Sequence, residues 1–163
     1  MILVAGVAEL YQGDMDLGRR AVELLQDSGL GEDVLVEELS YGAVAVAQHL
    51  EDLRPDALVL VGAQARGRAP GSVERREIGE LGLSSEELQV AVGDAVTGYV
   101  SIDLVVEVCT ALGALPDPTV AIEVEPAVVE PSDRLSAAAE AGLREAVTLV
   151  GTEVASLRGR ATG

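Results

Sequence analysis

The stretch Ile2-Leu-Val-Ala-Gly-Val-Ala-Glu-Leu-Tyr-Gln-Gly-Asp-Met-Asp-Leu-Gly-Arg-Arg-Ala-Val-Glu-Leu-Leu25 changes period part-way along. Ile2–Gly6 is an unalternated apolar run ending in glycine, the pattern of a strand buried on both faces. A loop through Tyr11 and Gly13 follows, and Asp14 or Asp16 is placed to cap a helix from Leu17 to about Ser28. Leu17, Ala21, Leu24, Leu25 and Ser28 fall on one face of that helix, while Arg19, Glu23 and Gln26 point away. Gly29 and Gly31 end it.

The same alternation continues downstream. Val34–Leu39 reads as a second strand, and Ala43–Arg54 as a second helix with Val44, Ala47, Leu50 and Leu53 inward, stopped by Pro55. Ala57–Val61 is a third, central strand, followed by a Gly/Ala/Arg/Pro loop over Gly62–Gly71. Val73–Ile78 is charged and reads as an edge strand. Gly79–Gly98 carries little periodicity beyond a turn of helix at Ser84–Leu88. Val100–Leu112 is a third helix with Ser101, Leu104, Val105, Val108 and Leu112 on one face. Thr119–Val124 is a strand, and Leu135–Leu157 a terminal helix with a stripe through Ala139, Leu143, Ala146, Val150 and Val154. One α/β domain over residues 1–163 follows, with disorder expected only in the tail from about residue 158. Its core is a mostly parallel twisted sheet of about five strands in a three-layer arrangement.

Composition narrows the function classes. Eleven Arg stand against 28 Asp and Glu with no Lys, a formal net charge of −17, which repels nucleic acid and anionic lipid. Neither Phe nor Trp is present, so the core is built from branched aliphatics. Cys109 is the single cysteine, which excludes an intramolecular disulfide. No apolar run reaches the roughly 18 residues of a membrane span. The amino terminus lacks the basic flank of a signal peptide, so a cytoplasmic location is expected.

In a doubly wound sheet, ligands bind in loops beyond the carboxyl ends of the strands. Here those loops are Val7–Asp16, Ser40–Gly42 and Gly62–Gly71, with Gly98–Ser101 close by. The three tyrosines, Tyr11, Tyr41 and Tyr99, all fall in them. The expected pocket residues are Tyr11, Met15, Ser40, Tyr41, Gly62, Arg66, Tyr99 and Ser101. Arg66 on its loop is chemically suited to grip a carboxylate.

The opening segment resembles that of the hydrogenase maturation proteases. In that family a strand leads into Gly-x-Gly-Asn, an acidic pair, then Gly and an apolar helix; Gly6, Asp14 and Gly18 match in register without a gap. Leu58–Val61 followed by Ala69-Pro70-Gly71 is similar to the family's third strand and Ala-Pro-Gly loop, and Leu135-Ser136 to the start of its last helix. The resemblance runs from about Ile2 to about Val154. It implies a phosphorylase/hydrolase-like fold and a nickel-sensing endopeptidase. Such an enzyme trims a carboxyl-terminal extension from the large subunit of nickel–iron hydrogenase, the implied protein partner. It also implies three metal-holding positions, which in register fall on Met15, Gly62 and about Ser101. A thioether, a hydrogen and a hydroxyl are not a nickel or zinc donor set. The family's Gly-Asn is replaced by Ala8-Glu9.

No metal cofactor is therefore expected, with nickel admitted only if a rearranged site forms around Asp14 and Asp16, the candidate catalytic carboxylates. His49, the single histidine, lies at the edge of the second helix's apolar stripe, and Cys109 sits within the third helix as a buried thiol. No Gly-x-Ser-x-Gly elbow, Walker loop or dinucleotide fingerprint is present. The main reading is a maturation factor that engages the hydrogenase large subunit without evident means of cutting it. Two alternatives remain: an active carboxyl-terminal-processing endopeptidase with a rearranged site, and an unrelated doubly wound ligand- or protein-binding module.

Overall fold

The computed structural model describes residues 1–79 and 100–161. Most of the stretch Gly79–Gly98, including the expected helical turn at Ser84–Leu88, and Tyr99 lie outside the described residues. Five strands, β1 (Ile2–Val7), β2 (Val34–Leu39), β3 (Ala57–Ala63), β4 (Val73–Glu77) and β5 (Thr119–Val124), form one sheet in the order β2-β1-β3-β5-β4. All neighbours are parallel except β4, which runs antiparallel to β5 at the edge. The charged strand is thus an edge and the two apolar runs are central, as their patterns require. Among the described residues four α-helices cover the sheet: α1 (Leu17–Gln26), α2 (Ala43–Leu53), α3 (Ile102–Ala111) and α4 (Ala137–Ala161).

Strand period two sorts the core into two clusters. Leu3, Ala5, Leu58, Leu60 and Ala121 pack against α2 and α3. Val4, Val59, Val61, Val120 and Ile122 pack against α1 and α4. The stripe on α4 is buried as read, from Ala139 through Val154. Leu60 is wholly buried between β1-side and β5-side neighbours. Leu60→Ala should cost about 3 kcal/mol through lost burial and the cavity left behind, measurable by urea denaturation.

Several boundaries differ from the sequence reading, each for a local reason. Residues Gly13–Asp16 form a 3-10 turn ahead of α1, and neither Asp14 nor Asp16 caps that helix with its side chain. Their carboxylates have other partners, described below. Leu24 is exposed and Val22 is buried in its place, because Val22 meets β1 at Gly6. Leu112 lies past the end of α3 and is exposed. β3 runs on to Ala63, so Gly62 is a strand residue rather than the start of the loop. The terminal helix continues through Ala161, where disorder was expected from about residue 158. Arg158 ties it to Asp33 and to the Leu30 carbonyl.

The chain enters at β1, steps one way to β2, then crosses back to β3 on the other side of β1. The strand order reverses between β1 and β3, so their following loops flank the crevice where doubly wound folds place their sites. Among the described residues no helix is long and apolar enough to cross a membrane.

Candidate functional site

Asp14 follows β1 and is completely buried. Its Oδ2 accepts hydrogen bonds from the N–H groups of Ala127 and Val128 at 2.8 and 2.9 Å and from Ser136 Oγ at 2.7 Å. Its Oδ1 accepts from Ser136 N–H at 2.7 Å. Ser136 Oγ in turn accepts from Ala139 N–H, capping α4. Burial alone would push the Asp14 carboxyl up, but the N–H groups of Ser136, Val128 and Ala127 and the Ser136 hydroxyl outweigh it and hold the group below the usual carboxylate range. Asp14 therefore pins the loop after β5, and the start of α4, to the loop after β1.

Asp16 is also buried and receives Arg19 through Nε at 3.0 Å to both oxygens and Nη2 at 2.7 Å. Arg19 lies 5.6 Å from the centre of the Tyr11 ring, within cation–π range. Tyr11 itself is exposed and in the left-handed region, with φ of 60°. Met15 is buried in the apolar cluster on the α1/α4 side.

Gly62 lies opposite this turn, near the carboxyl end of β3. A Cβ there would stand 2.5 Å from the Val7 carbonyl oxygen and 3.5 Å from Ile102 Cδ1, so backbone and α3 already fill its side-chain position. Ser101 caps α3, its Oγ accepting from Leu104 N–H at 3.1 Å. Asp14, Met15, Gly62 and Ser101 are thus gathered at the carboxyl end of the sheet, but all four are buried rather than lining open surface.

Beside Gly62 in the sheet register stands Glu123, which is 1 % exposed. Arg66 reaches it through Nε at 2.7 Å and Nη2 at 2.8 Å, and Arg76 through Nη2 at 3.0 Å. Both arginines also reach Asp103 on α3. Burial raises the Glu123 pKa and the two guanidiniums lower it further, so the carboxyl sits below its ordinary value. Two residues on, Glu125 accepts the backbone N–H groups of Arg66, Gly67 and Arg68. Arg66 is consequently committed within the protein and is not the free carboxylate grip its loop position suggested. Asp103, in the first turn of α3, accepts from both guanidiniums.

Nine solved chains match the structure significantly. Hydrogenase maturating endopeptidase HybD from E. coli is 25% identical at a TM-score of 0.63, the match covering 98% of this chain and 93% of that one. An endopeptidase from Escherichia coli, solved in solution, is 23% identical at 0.65, covering 91% and 88%. This is the fold of the hydrogenase maturation proteases. The hydrogenase 2 maturation peptidase from Thaumarchaeota archaeon SCGC_AB-539-E09 is 22% identical at 0.60, over 91% and 94%. No model of a known protein family matches the sequence, and no curated protein matches it significantly.

The maturation-protease fold implies nickel, and the side chains present do not fit it. Met15 offers a thioether, Gly62 nothing, and Ser101 a hydroxyl already accepting a helix bond. Asp14 and Asp16, the possible substitutes, are taken up by protein donors. No group of three or more His, Cys, Asp or Glu side chains among the described residues is arranged to hold a metal.

The other candidates are accounted for individually. Ser40 is half-buried and Tyr41 exposed, both following β2, the parallel neighbour of β1, and neither bonds the Asp14 carboxylate. His49 Nε2 lies 2.6 Å from Glu37 Oε2, joining α2 to β2. Burial, with Glu51 nearby, pushes the Cys109 thiol up to about 12, so it is no nucleophile. Sequence reasoning missed Glu123 and Glu125. The signal was present in Thr-Val-Ala-Ile-Glu-Val-Glu, two acids closing an otherwise apolar central strand, with spare arginines on the loop and edge strand to meet them.

Proposed function

We propose that this chain is a hydrogenase maturation factor that engages the large subunit of a nickel–iron hydrogenase and does not cut it by a metal-dependent route. The observation that carries this reading is a maturation-protease fold across nearly the whole chain; the family register of the opening segment assigns the metal-holding positions to Met15, Gly62 and about Ser101, which offer no nickel donor set. The carboxylates that could have rebuilt a catalytic site weigh against the active-protease alternative. Asp14 carries four hydrogen bonds, and Asp16 is bridged by Arg19. A pseudoenzyme of this kind would act in the cytoplasm, where a precursor large subunit awaits processing. Its acidic surface suits a neutral or basic partner.

The test is to mix the full chain with precursor large subunit bearing its carboxyl-terminal extension, with and without nickel. Complex formation is followed by size-exclusion chromatography and the extension by intact-mass spectrometry. The expected result is a complex whose extension stays uncut. Release of the extension restores the active-endopeptidase reading, and failure to form a complex favours a binding module for some other ligand.

A further inference from the structure

Four charged groups from different elements meet at the carboxyl end of the sheet. Arg66 Nη2 lies 2.7 Å from Asp103 Oδ1 and 2.8 Å from Glu123 Oε2. Arg76 Nη2 lies 3.2 and 3.0 Å from the same two oxygens. The two nitrogens and two oxygens close a four-membered ring of contacts, and Arg66 adds Nε to Glu123 Oε1 at 2.7 Å and Nη1 to Asp103 Oδ2 at 3.2 Å. Glu123 is the sheet neighbour of Gly62, and Asp103 follows two residues after Ser101. The ring therefore lies beside two of the three positions that would hold metal in the maturation-protease fold.

We infer that Arg66 and Arg76 are the resident cations of this end of the sheet, bridging Glu123 and Asp103 in the place of a divalent metal ion. The charges match, two guanidiniums against two carboxylates, so an incoming dication would first have to displace an arginine. Bidentate guanidinium–carboxylate pairing supplies fixed geometry as well as charge, and arginine stays protonated throughout the working pH range. The loop after β3, the edge strand β4, the central strand β5 and the start of α3 are thereby joined without any metal supply. Glu125, gathering the N–H groups of residues 66–68, sets the loop that presents Arg66. In a chain of net charge −17, a buried carboxylate on a central strand needs such partners to remain ionised.

This inference rests on reading the carboxyl end as the counterpart of the maturation-protease metal site. It does not depend on hydrogenase binding, so the two experiments fail separately. Thermal melts of the full chain would be compared for wild type, Arg66→Met, Arg66→Lys and Arg66→Met/Glu123→Gln, in chelator and with added calcium, alongside calorimetric titration of wild type with nickel and zinc. Arg66→Met should melt roughly 6–20 °C lower than wild type. Arg66→Lys should recover only part of that loss, because one ammonium does not reproduce the guanidinium fork. Calcium should raise Arg66→Met more than wild type or the double variant, since only Arg66→Met leaves two carboxylates facing an emptied cation position. Should Arg66→Met not fold, Arg76→Met, more exposed and touching the same oxygens, carries the same comparisons with its own Glu123→Gln partner. Melting of Arg66→Met with wild type, an equal calcium response in all variants, or saturable nickel or zinc binding by wild type that Glu123→Gln removes would each overturn the inference.

Discussion

Asp14→Ala should destabilise the protein by about 4–5 kcal/mol, among the larger effects a single substitution produces. The change strips the acceptor from three backbone N–H groups and one hydroxyl at once, in a position with no solvent exposure. Orphaned donors of this kind cost more than the bonds themselves contribute. The loop after β5 would lose its anchor and α4 its reinforced first turn. Asp14→Asn should cost about half as much, because one oxygen survives while the amide nitrogen meets donors.

The pH dependence has a definite sign. The folded Asp14 carboxyl lies below its ordinary value, so its contribution is fully present above the unfolded pKa of about 3.9 and is lost as pH falls through the folded one. Urea denaturation series should therefore show stability falling less steeply below about pH 4 in Asp14→Asn than in wild type. Equal slopes would show that the carboxylate is not the group whose ionisation matters.

Gly18→Ala should cost at least about 3 kcal/mol, and more if β1 cannot shift. A Cβ on Gly18 would stand 2.2 Å from the Val7 carbonyl oxygen and 2.8 Å from the Val7 nitrogen. Across the same contact, a Cβ on Gly6 would stand 2.2 Å from the Gly18 carbonyl oxygen. Both obstacles are backbone atoms, one in a central strand paired on both sides, so no rotamer change relieves them. Gly151→Ala in α4 is the matched control. Nothing stands within 4 Å of its added Cβ, and helix propensity predicts a gain of up to about 1 kcal/mol. Circular-dichroism melts of the two variants should move in opposite directions.

The same contacts make the opening segment legible from residue identity alone. Gly6 and Gly18 match the maturation proteases because the first helix crosses the first strand too closely for side chains. Asp14 matches because one buried carboxylate laces three segments together. The matched residues turn out to be architectural, and that is why they made the fold legible. The strand–helix alternation and the charged edge were legible for a simpler reason, since side-chain period reports which faces meet the core.

The site was less legible. Asp14 and Asp16 looked alike in sequence, two acids flanking a methionine, yet one bonds residues more than a hundred positions away and the other an arginine three residues on. Arg75 and Arg76 are adjacent in the charged run Val73–Ile78, and nothing in that run tells them apart. Strand geometry sends Arg75 to Glu153 on α4 and Arg76 to Glu123 on the opposite face. Sequence by itself determined the layered α/β architecture, the central and edge strands and the aliphatic core, because these depend on local period and on residue identity. Only the tertiary structure decided which charges meet. A carboxylate's role is set by the donors that surround it, and for Asp14, Glu123 and Glu125 those donors come from segments far along the chain that the sheet order alone brings together.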